Sequence, residues 1–339
     1  MSASAPACDE RFAPLSAQRR FAWAVAARAA LTNSLSVSAL LADTDVEQVA
    51  EQLCTDPELF QIPPAVREQT VADLDRAAAV EAMLLTPEDP DWPTAAVADL
   101  ERANIAAPVA LWVRGPLALT VCVDRSVAVT GARAASDYGI HVAHDMATYF
   151  AERGWCVLSG AGYGIDTVAH QAALLLSAPT IAVVATGIDR AYPTGNTPLF
   201  DQLAERGLIV SEYPPGSPPT KSHFPERNRL VAALSTGLVV CEAGARSSTP
   251  TPRRGRDDCT AASPRSRDRS TRPPPPDATT CCASTPRTWP PAEATRSTSS
   301  PTSARDRPRD RHQHLRPAGP SHRRPRTHHQ RSPNAWLCR

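Results

Sequence analysis

The first third of the chain repeats apolar residues every three or four positions. "AQRRFAWAVAARAAL", "SALLADTDVEQVAEQLC" and "VREQTVADLDRAAAVEAMLL", all within residues 16–85, are rich in Ala, Leu, Glu and Arg. That spacing predicts helices with one buried face. "TPEDPDWPTAAVADL" follows, and its prolines at 87, 90 and 93 mark a boundary. Beyond residue 109 the pattern changes to short, continuous apolar runs. "PVALWVRG" is strand-like, and "SVAVTGA" (126–132), "WCVLSGAG" (155–162), "TIAVVATG" (180–187), "LIVSEYPP" (208–215) and "GLVVCEAG" (237–244) follow at regular intervals. Helices are expected between them, near 137–152, 165–177, 197–206 and 225–235. Strands that are apolar throughout and alternate with helices predict a doubly wound α/β fold, a parallel sheet covered on both faces.

Composition divides the chain again near Ser248. Residues 1–248 hold 17 basic and 28 acidic side chains, whereas residues 249–339 hold 19 arginines, no lysine and 7 acids. The later segment also carries 16 of the 34 prolines and lacks Ile, Val, Phe, Met and Tyr. It offers too little apolar surface to offset a chain entropy of roughly 1–2 kcal/mol per residue, so disorder is expected there. The organisation read from the sequence is a helical segment over 1–85, an α/β domain over 86–248 and a tail over 249–339. The nine cysteines show neither metal-type spacing nor a compact disulfide framework, which suits a reducing cytoplasm. "FAWAVAARAAL" is short and interrupted by Arg28, and reads as a helix face rather than a signal peptide or membrane span.

In a doubly wound sheet, ligands bind beyond the carboxyl ends of the strands. The unusual residues of this chain fall there. "TGAR" (with Gly131 and Arg133) follows the first parallel strand, and "SGAGYGID" (Ser159, Gly160, Gly162, Gly164) follows the second. "TGIDRAYP" follows the third, and the fifth ends in "EAGARS", with Glu242 and Gly244. Glycines there let backbone amides approach a phosphate at a helix N-terminus. A dinucleotide site would put its glycines after the first strand and an acid at the end of the second; here the second ends in Ser159 and Gly160. "KSHFPERNRL" adds Lys221, the only lysine, then Phe224, Arg227, Asn228 and Arg229. Cations beside an aromatic ring suit a single-stranded nucleic acid, whose phosphates and base faces are both open. The same residues also fit a core phenylalanine beside a helix-end ion-pair patch. Asp166, His170, Asp189, His223 and Glu242 form no evident nucleophile and base order, and His141 and His144 lack a third metal ligand. Neither catalysis, metal nor cofactor is expected.

The ordered set "VTGAR", "SGAGYGIDTVAH", "TGIDRAYP", "SEYPPG", "HFPERNR" and "VVCEAGARS", preceded by "PEDPDWP" and "ALWVRG", resembles the DNA-processing protein A family (DprA, also called Smf) over about residues 80–248. The resemblance implies a Rossmann-like domain that binds single-stranded DNA and is not an enzyme. It implies protection of incoming strands in natural transformation, help in loading the RecA recombinase, possible homodimers and no membrane. Arg133, Lys221, Phe224, Arg227, Asn228, Arg229 and the glycines of the second loop match the family's binding residues. A nucleotide-processing enzyme of phosphoribohydrolase type is one competing reading, although "EAGARSS" lacks that group's "PGG-x-GT" loop, and a non-functional frame-shifted product is another. The family pattern continues with a glycine where this chain has Ser248, then a helix and a sixth strand. Their disappearance suggests a reading-frame slip near Ser248, and a sheet left with an unpaired edge after its fifth parallel strand.

Overall fold

A computed structural model describes residues 9–243 and 280–282. Apart from residues 280–282, the tail expected to be disordered lies outside the described residues, as do the proposed frame slip and Gly244. Three helices come first: α1 (Ala17–Asp43), α2 (Val46–Thr55) and α3 (Val66–Ala79). Ser16 caps α1 by accepting from the Arg19 amide, and Asp45 caps α2 by accepting from that of Glu47. Asn33 breaks α1 with non-helical angles, and its side-chain amide donates to the Phe60 carbonyl at 3.1 Å. By length and composition α1 could cross a membrane; here Trp23, Val25, Val37 and most of its alanines between 22 and 29 are buried in the core.

The helical pattern read through residue 85 ends sooner. Glu81 takes a positive φ, and Met83–Leu85 form strand β1, antiparallel to β2 (Leu111–Arg114). The parallel strands follow: β3 (Ser126–Thr130), β4 (Cys156–Ser159), β5 (Thr180–Val184), β6 (Leu208–Ser211) and β7 (Gly237–Val240). With β8 (Thr280–Cys282) at one edge, the spatial order is β1-β2-β6-β5-β4-β3-β7-β8. All five expected parallel strands form, and β2 joins antiparallel to β6. The edge expected to be bare is occupied: β8 (Thr280–Cys282) pairs antiparallel with β7. An exposed row of amides and carbonyls is a template for any extended segment that can reach it.

Alternation along the strands sends side chains to two faces. Ile181, Val183, Leu208 and Val210 pack with Leu100 of α4 (Thr94–Arg102), Leu119 of α5 (Leu119–Val123) and Leu230 and Val231 of α9 (His223–Ala233). Ala182, Val184 and Ile209 share a core with α1 and α8 (Thr197–Arg206). Val127, Val129 and Val157 pack with Ala143 and Ala147 of α6 (Asp137–Ala151) and Ile165 and Ala169 of α7 (Ile165–Leu175). Each large apolar side chain so buried contributes about 1.5–3 kcal/mol.

The proline-rich boundary is held by its acids. Asp89 accepts from the amide and hydroxyl of Thr86 (2.7 and 2.8 Å) and from the Ala13 amide (2.8 Å). It also pairs with Arg20 of α1 at 3.1 Å, and Arg20 donates to the Leu84 carbonyl of β1 at 2.7 Å. Asp91 accepts the amides of Leu119 and Thr120 at the start of α5. Asp89 thus ties the first helix to the edge of the sheet, and Asp91 fastens the start of α5.

Candidate nucleic-acid interface

The loops after β3, β4, β5 and β6 meet the start of α9 at the carboxyl end of the sheet. Within them, the glycines serve close packing. Gly164 has φ +72°, and a Cβ there would lie 2.4 Å from the Ala132 carbonyl oxygen. The Gly162 amide donates to Asp166 Oδ2 at 3.1 Å, while Asp166 Oδ1 accepts from the Thr130 hydroxyl at 2.9 Å. The positive end of α7 is therefore answered by the chain's own buried carboxylate. Of the loop amides expected to face a phosphate, that of Gly162 is thus engaged within the chain. Asn196, at the start of α8, fastens the same loop by donating to the Ala161 carbonyl (3.1 Å) and the Thr167 hydroxyl (2.9 Å).

Arg227 is likewise internal. It is 7 % exposed, and its guanidinium donates to the carbonyls of Gly160 (2.9 Å) and Val183, and to Asn228 Oδ1 (3.2 Å). Burial lowers its pKa from the usual arginine value, and Asp166 partly offsets this. A Cβ on Gly160 would fall 2.3 Å from its Nη1, so the glycine is what admits the guanidinium. Arg229 pairs with both oxygens of Glu212 at 2.6 Å. Ser159 is buried and donates to the Val129 carbonyl at 2.7 Å. Glu242 accepts from the Ser136 amide and hydroxyl at 3.0 and 2.9 Å, and its carbonyl takes the Ala132 amide at 2.8 Å. Gly131 packs against that carbonyl, where a Cβ would sit 2.6 Å away. These expected contact residues shape the loops from within: the contacts above tie each of them to another part of the chain, although Arg229 Nη1 is buried without a partner.

Two of the expected cations, Arg133 and Lys221, remain at the surface, and Phe224 is half-buried. Arg133 is exposed, and its guanidinium carbon lies 4.5 Å from the Phe224 ring centroid. Lys221 is exposed just ahead of α9, three residues before Phe224. Tyr192, which the sequence reading passed over, rests against Phe224 with ring centroids 5.7 Å apart and planes at 48°. Its signal was present: an aromatic residue before a proline in a loop at a strand's carboxyl end. Below, Tyr213 stacks on His223 at 3.9 Å and donates to Glu226 at 3.0 Å. Burial and the nearby Glu226 push its phenol well above the ordinary value. Asn228 is half-buried beside Arg227, with its oxygen engaged by that guanidinium.

Comparison with known proteins points one way. The family model described as DNA recombination-mediator protein A matches residues 83–251. A DprA-type DNA processing protein of Mycobacterium tuberculosis is 40% identical over 237 residues, 67% of this chain and 61% of that protein. DNA processing protein DprA of Streptococcus pneumoniae is 43% identical over 141 residues, 42% of this chain and 49% of that protein. The chain thus spans about half to three-fifths of the length of these relatives. A solved structure of the S. pneumoniae protein matches with a TM-score of 0.49 and 29% identity, covering 69% of this chain and 80% of that one. One of DNA processing protein A from Helicobacter pylori, described for its single-stranded DNA binding mode, matches with a TM-score of 0.43 and 30% identity, covering 49% and 72%. With the ordered loop motifs and the family match falling on the same α/β region, this chain belongs to the DNA recombination-mediator protein A (DprA/Smf) family.

Proposed function

We propose that this chain binds single-stranded DNA on the rim formed by Arg133, Lys221 and Phe224, with Tyr192 as a support for the ring. The observation that carries this reading is the placement of an exposed guanidinium over an aromatic ring, with an exposed ammonium three residues away. The cations take phosphates, and the ring takes a base face without regard to its identity. In the free protein Arg133 covers Phe224. A base that replaces it exchanges a cation–π contact of about 0.5–1 kcal/mol for stacking of about 1–3 kcal/mol, and frees the guanidinium for the backbone.

Membership in the family supports the wider role: a cytoplasmic DNA-processing protein that protects incoming single strands in natural transformation, without cofactor or catalysis. The same membership supports assistance to RecA and assembly as a homodimer. A RecA ATPase assay on single strands, with and without this chain, tests the former, and sedimentation tests the latter.

Binding is tested by anisotropy of labelled single strands across a salt series. Arg133→Ala and Lys221→Ala should each shallow the log–log salt slope by about 0.7. Phe224→Ala should weaken binding roughly five- to hundred-fold while leaving the slope in place. Unchanged binding in all three variants overturns the assignment.

A further inference from the structure

A second charged feature adjoins the rim. A cleft of about 370 Å³ lies between the first helices and the loops after β5 and β6, lined by Arg28, Asp73, Arg76, Asp189, Arg190 and residues 215–218. Most of its charges are already matched. Arg28 donates to Asp73 Oδ2 at 2.5 Å and to Gln69 at 2.9 Å, and Asp189 accepts the Gly216 amide at 2.7 Å. Arg190 is left, and Arg76 is held only by a long, half-exposed ion pair. Arg76 Nη1 stands 3.5 Å from Asp73 Oδ1, which is buried without a hydrogen bond, and the Arg76 side chain is 53% exposed. Arg190 is exposed, and among the described residues only its backbone is hydrogen-bonded.

Both walls of the cleft run into the rim. Arg190 is two residues from Tyr192, so their Cα atoms are at most about 7 Å apart. Residues 215–218 lead within three residues to Lys221. Among the described residues the lining contains no aromatic ring, so a free nucleotide would find nothing there for its base to stack on. A sugar–phosphate backbone needs only the cations.

Resting on the single-strand reading, we infer that this cleft is a phosphodiester site, in which Arg76 and Arg190 carry the strand from the sheet's rim onto the helical segment. The site adds length and charge contacts but no base contact.

The test compares single strands of about six and about twenty nucleotides, within and beyond the usual span of one binding site. Arg76→Ala/Arg190→Ala in the full chain should shallow the salt slope for the long strand by about 1.4, two phosphates at about 0.7 each, and leave short-strand affinity unchanged. Arg190→Ala alone should give half that effect, and it decides the matter if the double variant melts early. An unchanged long-strand slope, or an equal loss on both lengths, overturns the inference while the rim assignment stands. Thermal stabilisation by inorganic phosphate that vanishes in the double variant, with the long-strand slope unchanged, would instead make the cleft a free-anion site and overturn it. If the wild-type chain binds neither length, the single-strand reading falls and this inference with it.

Discussion

Mild acid should loosen this fold through His170. The imidazole sits on α7, wholly buried, with Nδ1 2.8 Å from the Thr180 hydroxyl oxygen. That hydroxyl donates to the Val157 carbonyl at 2.7 Å, so Nδ1 carries the ring's proton and Thr180 accepts it. Nε2 is buried without a partner, and a second proton there would be an unanswered charge. Burial accordingly lowers the His170 pKa to about 4 from 6.5, with Asp166 opposing and Arg227 adding to the fall. A depressed histidine contributes stability above its unfolded pKa and loses it as pH falls toward the folded one. The full difference is worth about 3 kcal/mol, and about 2 kcal/mol of it is gone by about pH 5. That is a large share of a typical net stability of about 5–15 kcal/mol. Denaturant unfolding of the wild type and His170→Asn, at about pH 7 and about pH 5, isolates the effect. The asparagine amide takes the place of Nδ1–H and does not titrate, so any cavity it leaves is the same at both pH values. The wild type's advantage should shrink by about 2 kcal/mol on acidification. An advantage of equal size at both pH values would refute the reasoning.

Other substitutions separate framework from surface. Gly160→Ala drives a methyl into the Arg227 guanidinium and should lower stability by about 1–3 kcal/mol, read as a lower denaturant midpoint. Arg229→Ala breaks the pair with Glu212 and should lower stability yet leave the salt slope of strand binding unchanged; a shallower slope would return Arg229 to the interface. Tyr192→Ala removes the ring beside Phe224 and should weaken single-strand binding about two- to ten-fold, measured by anisotropy. The coding sequence across residues 240–265, read in all three frames, should show the family pattern resuming in a shifted frame.

The five parallel strands were legible because each is an unbroken apolar run, long enough to be covered on both sides. β1 was not, because Met-Leu-Leu closes a helical periodicity and only its pairing with β2 makes it a strand. At the rim, sequence gave residue type but not engagement: Arg133 and Arg227 are both arginines near a glycine loop, one over a ring at the surface and one under a loop. Part of that difference was readable. Arg227 precedes the buried Leu230 and Val231 by three and four positions, and so lies on the inward stripe of α9. The carboxylate that closes the α7 terminus was harder to foresee, since Asp166 two residues beyond Gly164 serves equally well as a cap or as a ligand group.

Glu242 has a consequence for what kind of molecule this architecture can hold. Strand order reverses between β3 and β7, and in many α/β proteins that fork is where a small ligand is swallowed. Here Glu242 bolts the fork shut from one side to the other. Among the described residues, that leaves a guest the outer rim of the sheet rather than the fork itself. A polymer of any length can be threaded across such a ledge, whereas an enclosed chamber would accept one unit and halt.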